Sequence, residues 1–420
     1  MPGDLAARRV DLLGRVMRAR INTGEVPVAR VVRERAVAVA ESAGRDDLLL
    51  AAFTAWTVPS PWEIHAYAEV DRGCVTRLER LLARTDLDDV TRCRLLAALC
   101  GELSGENDPR AMRAALTGLD LARAAGDPEL LALALMTTAR ELSFDRQADT
   151  RAQLRKELAA LAEADSRPGF VAYRWYVEHV AASIAATRLD IPTMHRHVVA
   201  SLDLARSYQL GEPHDVALSG LGTHAHITGD LDAAERIYRE VGEHMRRKRS
   251  LHVDYLAVAL YTVRASQGRL PELLPLLYQL QETRRPVVAE PLALALFAAG
   301  RPDEARRVRG TPTPLRRDYF SAMWATIRSM VISALDLPGE ADELIEFFEP
   351  IVDQLAGAAT TSVAMRPVAH SLGSLSLLLG RERDAADYFA HAVTVAERAS
   401  SPHWADQARA ALAALQARSK

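Results

Sequence analysis

A turn that recurs at nearly constant spacing, between long runs of helix-forming residues, constrains this chain more than any other feature. The clearest copy is Ala125-Gly126-Asp127-Pro128, in which a glycine ends one helix, an aspartate caps the next and a proline fits its first turn. In the second half of the chain such turns are 41, 39, 32, 39 and 41 residues apart. This spacing indicates a helical-repeat array. The turns fall at Arg188, Gly229, Gly268, Gly300, Gly339 and Gly380.

Two of these repeats share a ladder of small and aromatic residues around the turn. A glycine in the first helix and an alanine in the second are expected where two helices cross closely. An aromatic residue one turn after the alanine is expected to fill the gap against the next repeat. This ladder is the tetratricopeptide pattern, and the copies between the two are degenerate. The two good copies are Leu221, Gly222, Gly229, Ala234, Tyr238 and Val241, and Leu372, Gly373, Gly380, Ala385, Phe389 and Ala392.

The predicted fold class is therefore all-α, a right-handed tetratricopeptide-like superhelix of about ten helix pairs. Aromatic residues are only 5% of the chain and β-branched alternation is nearly absent, so no strand-rich block is expected. No Ser/Gly-rich or acidic tract divides the sequence. We interpret residues 1–420 as one continuous solenoid, with degenerate repeats over 1–185 and clearer repeats over 186–420.

Composition narrows the function classes. With 52 Lys and Arg against 55 Asp and Glu, 49% hydrophobic and 25% charged residues, the chain has the proportions of a soluble globular protein. Its near-neutral charge argues against direct nucleic-acid binding, and no apolar stretch approaches the length of a membrane span. The three cysteines form neither a disulfide framework nor a metal-ligand pattern. We expect a cytoplasmic protein without a signal peptide.

Several segments resemble the tetratricopeptide region of actinobacterial STAND-type ATPase regulators, which include LuxR-type and SARP-type transcriptional activators. The resemblance covers about residues 12–415 and implies a sensor and scaffold region that restrains an ATPase module until an inducer or partner binds. The chain departs from that family because it contains no GxxxxGK[ST] phosphate loop, so we expect a piece of a larger protein. The resembling segments are Asp108-Pro109, 119–123, 126–131, 173–176, 229–235, 267–274 and 401–405.

Four patterns invite a chemical interpretation, and each has a plainer structural one. The DxDD string at 86–89, found in class II terpene cyclases, is also a helix cap. The GxGxxA string at 220–225 lies on the helical ladder and not in a βαβ unit. The basic run 246–249 is typical of a solvated loop. Seven of the 12 histidines lie between His195 and His252, yet the close pairs are two residues apart and do not share a helix face.

We therefore predict a non-catalytic protein with no cofactor and no metal, whose concave groove binds a protein segment, a peptide or a small-molecule inducer. The partner segment includes the regulator's own ATPase or DNA-binding modules. Alternatives are a stand-alone receptor for a peptide pheromone and, ranked third, an all-α enzyme. Residues predicted to line the groove are Ser219, Thr223, His226, His370 and Ser374.

Overall fold

The computed structural model describes residues 4–57, 62–67, 69–106, 108–252 and 254–418, and within these ranges it is all-α. Twenty α-helices follow one another, and the β-structure described amounts to one isolated bridge between Leu355 and Pro367. None of the described helices is long and apolar enough to cross a membrane. The helices are α1 (Leu5–Asn22), α2 (Val26–Ser42), α3 (Asp46–Thr54), α4 (Arg72–Leu82), α5 (Asp89–Leu103), α6 (Pro109–Ala125), α7 (Pro128–Glu141), α8 (Ala148–Ala164), α9 (Val171–Thr187), α10 (Ile191–Ser207), α11 (Gly211–Thr228), α12 (Leu231–Arg247), α13 (Tyr255–Gln267), α14 (Leu274–Ala298), α15 (Pro302–Arg309), α16 (Ser321–Leu335), α17 (Ala341–Phe348), α18 (Val368–Leu378), α19 (Glu382–Arg398) and α20 (Pro402–Arg418).

These helices pack as a two-layer array. Nearly every helix contacts the next one, and α1, α3, α5, α7 and α9 also contact the next-but-one helix. Such contacts are those of first helices that stack along one wall. Before α14 the odd-numbered helices are the first helices of their pairs, and after α14 the even-numbered helices are. The change occurs at α14, which bends at Arg284 (φ −129°, ψ 32°), two residues before Pro286. The second half of α14 then begins the next pair, and the chain forms ten pairs closed by α20. The predicted all-α repeat fold is confirmed.

Left-handed residues mark the turns between helices, as the sequence pattern predicted. Gly126, Gly229, Gly268, Gly300 and Gly380 all have φ between 67° and 90°. The turn predicted around Gly339 is present between α16 and α17, but Gly339 is not its left-handed residue. That residue is Asp336 (φ 56°), and a short 3₁₀ helix, Pro338–Glu340, follows it.

The ladder glycines lie where two helices approach closely. A Cβ built on Gly222 would come within 2.7 Å of the Tyr238 ring, and one built on Gly373 would come within 2.7 Å of the Phe389 ring. The close crossing is therefore confirmed. The aromatic ring packs on the glycine and also faces the next helix, as predicted: the Tyr238 ring meets the Tyr255 ring of α13 with centroids 6.2 Å apart, and Phe389 clusters with Leu415 of α20.

The inner and outer walls differ in how much of each helix is buried. Helices of the outer wall, such as α12, bury one stripe of residues. In contrast, 14 of the 17 residues of α9 are buried, and 13 of the 18 residues of α11. A helix buried on all sides needs packing partners on all sides. The inner wall of the superhelix is thus covered by protein.

Candidate functional site

The concave side of the superhelix is filled by a segment of the same chain, residues 349–367, which we call the inner segment. It joins α17 to α18 and contains two 3₁₀ turns, Glu349–Ile351 and Ala358–Thr360. Every residue from 355 to 365 is buried. The inner segment runs past α9, α11 and α13, so it occupies the place where an extended ligand would lie in an open groove.

Hydroxyl groups of three successive first helices bind the backbone carbonyls of the inner segment. On α9, Ser183 donates to the carbonyl of Ala359 at 2.5 Å, and on α11 Thr223 donates to the carbonyl of Thr361 at 3.1 Å. The Tyr255 hydroxyl of α13 donates to the carbonyl of Ser362 at 2.6 Å. Buried carbonyls need such donors, so these side chains fix the inner segment along the wall.

The three predicted groove residues of α11 are 0% exposed, which corrects the expectation of an open polar wall at these positions. Ser219 donates to the carbonyl of Asp215 in its own helix. Thr223 holds the inner segment, as above. His226 lies 2.8 Å (Nε2 to Oγ) from Ser266, whose Oγ also accepts the Trp404 indole N–H of α20 at 3.2 Å. Their participation in binding an added ligand stays a prediction.

The two groove residues predicted on α18 are also buried or partly buried. His370 is 7% exposed, and its ring meets the Phe389 ring edge-on with centroids 5.2 Å apart. Ser374 is partly buried and donates to the carbonyl of His370 at 3.0 Å. Burial, with Arg366 nearby, holds the pKa of His370 well below its usual value.

A second segment, residues 62–67, reaches from the first quarter of the chain to the last third, and we call it the crossing segment. The Tyr67 hydroxyl donates to Asp318 at 2.5 Å and accepts the Trp324 indole N–H at 2.7 Å. The His252 imidazole donates to the carbonyl of Glu63 at 2.9 Å. These contacts link residues 189 to 257 positions apart, so the crossing segment ties the two parts of the superhelix across its interior.

An apolar cavity of about 100 Å³ opens beside the crossing segment, and we call it the aromatic pocket. Of the chain's 8 Phe, 5 Trp and 10 Tyr residues, seven line this pocket. The kinked helix α14 forms one side of it, and Arg284 at the kink binds Asp254 at 3.0 Å. The seven aromatic lining residues are Trp62, Tyr67, Tyr255, Tyr261, Tyr319, Phe320 and Trp324.

A second cavity of about 380 Å³ lies next to the first, and Trp62 and Tyr319 line both. We call it the polar cavity because charged residues from several elements surround it. They come from the crossing segment, from the residue that caps α6, from the end of α7 with the loop after it, and from the loop before α16. These charged residues are Glu63, Asp108, Arg140, Glu141, Asp145, Arg146, Arg317 and Asp318.

Two carboxyl groups of the polar cavity are unusual. Glu63 is 2% exposed; its Oε2 accepts from the Tyr319 hydroxyl at 3.3 Å, whereas its Oε1 has no hydrogen-bond partner. Burial, followed by repulsion from Asp318, raises the pKa of Glu63 well above its usual value. Burial likewise raises the pKa of Asp145 to about 6. A donor or a cation brought into this cavity would be stabilised by both groups.

The other motifs singled out in the sequence have structural roles. Asp88 of the DxDD string caps α5 by accepting from the backbone N–H of Thr91 at 2.8 Å. The GxGxxA string lies inside α11. The basic run ends α12. All three cysteines are free and buried, and burial raises the pKa of Cys93 to about 11.

Sequence reasoning missed both inner elements and both cavities. One signal was present for the inner segment: apart from Arg174, Glu178 and His179, every residue of α9 is apolar, aromatic or small, which predicts burial on more than one side. A second was the clustering of aromatic residues at Tyr319-Phe320 and Trp324 in a chain poor in them. Neither signal identifies which distant segment packs there.

Comparisons with known proteins do not assign the chain to a family. No protein-family model matches the chain, and no curated protein matches it. Solved structures similar to it include the crystal structure of a Rap protein complexed with competence and sporulation factor, at 13% identity and a TM-score of 0.45, with 98% of each chain covered. The paired helices and the glycine–aromatic ladder define the chain's class as a tetratricopeptide-like helical-repeat superhelix. At these values the likeness carries no information on binding, so function is argued from the residues.

Proposed function

We propose that this chain is a non-catalytic sensor that binds a peptide, or a small molecule of similar chemistry, inside its superhelix. The observation that carries the proposal is the junction of the aromatic pocket and the polar cavity at Trp62 and Tyr319. Sites for small ligands are mostly apolar, with a few polar groups that fix orientation. The two adjoining cavities have that character.

The lining predicts the chemistry of the ligand. In the aromatic pocket the Tyr67 and Tyr255 hydroxyls already bind protein groups, so this pocket accepts an apolar ring or a branched alkyl chain. In the polar cavity, Glu63 Oε1 has no partner, so this end accepts an N–H donor or a cation. A short peptide with one aromatic and one basic side chain has both features.

In this proposal the polar residues predicted to line the groove hold the inner segment in place. The hydroxyls of α9, α11 and α13 hold the inner segment by the main-chain contacts that an extended peptide would use. We propose that Ser219, Thr223, His226, His370 and Ser374 support the inner segment, and that the ligand itself binds in the two cavities beside it. The whole of residues 1–420 acts as one continuous array in this proposal.

Binding is tested with synthetic hexapeptides, each carrying one aromatic and one basic residue. We expect saturable binding by calorimetry and a change in tryptophan fluorescence, since Trp62 and Trp324 line the aromatic pocket. Peptides in which the aromatic residue is replaced by serine are expected to bind at least about tenfold more weakly, a loss of about 1.4 kcal/mol. Equal binding of both peptide sets would contradict the assignment of the pocket.

Substitutions inside and outside the cavities test whether the ligand binds there. Ala257 lines the aromatic pocket, and Ala257→Phe is expected to fill it and abolish binding. Ala410 is exposed on α20, so Ala410→Phe is the matched control and is expected to bind normally. Glu63→Gln is expected to weaken the binding only of peptides that carry a basic residue. If Ala257→Phe, folded by circular dichroism, binds as well as the Ala410→Phe control, the ligand lies elsewhere.

We further propose that the chain acts in the cytoplasm as the sensor region of a STAND-type transcriptional regulator. The support is the sequence resemblance over residues 12–415, although this sequence lacks the GxxxxGK[ST] loop that the family's ATPase module carries. In that setting the ligand or a module of the same regulator is the partner. A coding sequence that continues upstream of Met1 into such a phosphate loop supports this context. An in-frame stop codon directly upstream favours the stand-alone peptide receptor instead.

A further inference from the structure

We propose that His214, Asp215 and His244 form a binding site for a divalent transition-metal ion such as Zn²⁺. His214 and Asp215 begin α11, and His244 lies in the last turn of α12. The ligand atoms of the three residues all lie within 4.8 Å of one another. None of these residues lines the two cavities, so the site is independent of the proposed function.

The distances within this cluster fit metal ligation as well as hydrogen bonding. Both imidazoles place Nδ1 at 3.2 Å from Oδ1 of Asp215. Two atoms that each bind Zn²⁺ at about 2.0–2.1 Å with tetrahedral angles lie about 3.3 Å apart. The two nitrogen–oxygen distances are therefore close to edges of such a tetrahedron, and the ligand atoms of the two imidazoles lie within 4.8 Å of each other.

Two plain histidine–carboxylate pairs of the same chain provide the comparison. His391 Nε2 lies 2.8 Å from Asp353 Oδ1, and His197 Nδ1 lies 2.6 Å from Glu178 Oε2. Those are the lengths of charge-assisted hydrogen bonds. Asp215 makes no such short contact with either of its two imidazoles, although it is only 3% exposed. Its Oδ1 thus lies between two imidazole nitrogens, at the long end of the hydrogen-bond range from each.

The residues around Asp215 leave one of its carboxylate oxygens, Oδ1, to act as a ligand and fix its orientation. Lys248 binds the other carboxylate oxygen, Oδ2, at 3.0 Å and the carbonyl of Gly211 at 3.0 Å. This contact fixes the carboxylate plane, as outer-sphere partners of metal ligands do. The two imidazoles are partly exposed, with 23% and 21% of their side-chain surface accessible, which leaves a path for an ion and for a water as fourth ligand.

The donor set also selects the class of ion. Ca²⁺ and Mg²⁺ require several oxygen ligands, and here there is one carboxylate with a lysine beside it. Imidazole nitrogen is a good ligand for Zn²⁺, Cu²⁺, Ni²⁺ and Co²⁺. The site is therefore expected to bind these ions and to reject Ca²⁺ and Mg²⁺. A bound ion would clamp α11 to α12 at the end of the pair.

The test uses the full chain without an affinity tag, freed of metal by a chelator and titrated with Zn²⁺ in a calorimeter. We expect one Zn²⁺ per chain and a raised Tm, with no binding of Mg²⁺ at the same concentration. His214→Ala and His244→Ala are each expected to weaken Zn²⁺ binding at least about tenfold. His391→Ala removes a histidine that pairs with a single carboxylate and is expected to leave Zn²⁺ binding unchanged.

A measurement on the unaltered chain covers the case in which a variant fails to fold. X-ray absorption at the zinc edge is expected to show two imidazoles with oxygen and no sulfur in the inner coordination sphere. Absence of saturable Zn²⁺ binding overturns the proposal. So does a sulfur ligand, or Zn²⁺ binding that survives in the folded His214→Ala/His244→Ala double variant. Peptide binding to the cavities is measured separately, so failure of either proposal is distinguishable from failure of the other.

Discussion

The pairs α11–α12 and α18–α19 carry the same ladder and cross in the same way, yet only in α11–α12 does a hydroxyl of the first helix bind the backbone of the inner segment. In both pairs an aromatic ring covers a glycine, and a Cβ on that glycine would lie 2.7 Å from the ring. Both pairs also bury an alanine at 0% exposure, Ala234 in one and Ala385 in the other. The ladder thus specifies how two helices cross, independently of what lies on the concave side.

The difference between the two pairs is in hydroxyl groups. Tyr238 places its hydroxyl 3.2 Å from Thr223 Oγ1, and Thr223 in turn donates to the carbonyl of Thr361 in the inner segment. Phe389 has no hydroxyl, and its ring meets the His370 ring instead. In α11–α12 the crossing itself is therefore connected to the inner segment through hydroxyl groups. In α18–α19 the aromatic ring at the crossing only packs, and the bonds to the inner segment include those of Val368 and His391.

The largest expected effect comes from substitutions that remove the shared feature from either pair. Gly222→Leu and Gly373→Leu each drive a side chain into an aromatic ring, and overpacking of this kind costs about 1–3 kcal/mol. We expect the upper end of that range, since the ring is held by the second helix. Hydrogen exchange should show lost protection over 211–247 for the first variant and over 367–415 for the second.

Gly339→Leu is the control for that experiment, because a Cβ at Gly339 would have no heavy atom within 4 Å. Its effect on the free energy of unfolding is expected to stay within about 0.5 kcal/mol. Protection that is unchanged in Gly373→Leu would show that the crossing at α18 is looser than the structure indicates.

Acid is expected to weaken both pairs through their buried histidines. Burial, with His403 nearby, lowers the pKa of His226 to about 3, and burial also lowers the pKa of His370. Because each folded-state pKa lies below the unfolded value of about 6.5, the stability is complete above pH 6.5 and falls as the pH drops towards the folded pKa. Between pH 7 and pH 5 His226 accounts for a loss of about 2 kcal/mol, and His370 adds a loss in the same direction.

Urea titrations at pH 7 and pH 5 measure this loss, and His226→Gln and His370→Gln assign it. Each variant is expected to be less stable at pH 7 but to lose less stability on acidification than the unaltered chain. An equal pH dependence in all three proteins would mean that other groups account for the acid sensitivity.

The two pairs also show how far the sequence predicts the structure. Helices, turns and the glycine–aromatic crossings follow from local spacing, because a helix pair is a local unit with contacts between residues fewer than about 40 positions apart. The inner segment and the crossing segment depend on contacts between residues more than a hundred positions apart, such as Thr223 with Thr361. No spacing rule encodes those contacts. Ser219 and His226 were predicted to line an open groove, and their burial could not be predicted without the segment that covers that wall.

A smaller effect is expected from cutting the connection between α11 and the inner segment. Thr223→Val keeps the shape of the side chain but removes the donor to the Thr361 carbonyl, and an unsatisfied buried acceptor costs about 1–3 kcal/mol. Since the carbonyl is one of three held in this way, we expect about 1.5 kcal/mol. The lost protection should lie in 355–367 and not in α12.

Thr228→Val is the matched control, because Thr228 lies on the same helix and donates only to carbonyls of α11 itself. It is expected to leave exchange in the inner segment unchanged. If both valine variants have the same effect, the bond to Thr361 does not hold the inner segment.

The smallest change makes the α11–α12 pair resemble the α18–α19 pair. Tyr238→Phe keeps the ring on Gly222 and removes only the hydroxyl next to Thr223, so we expect a loss of about 0.5–1.5 kcal/mol. The crossing itself should persist, with exchange across α12 nearly unchanged. In the double variant with Thr223→Val, the loss is expected to be smaller than the sum of the single losses, because the two hydroxyls act through one shared connection. Strictly additive losses would show that Tyr238 stabilises the pair by packing alone, as Phe389 does.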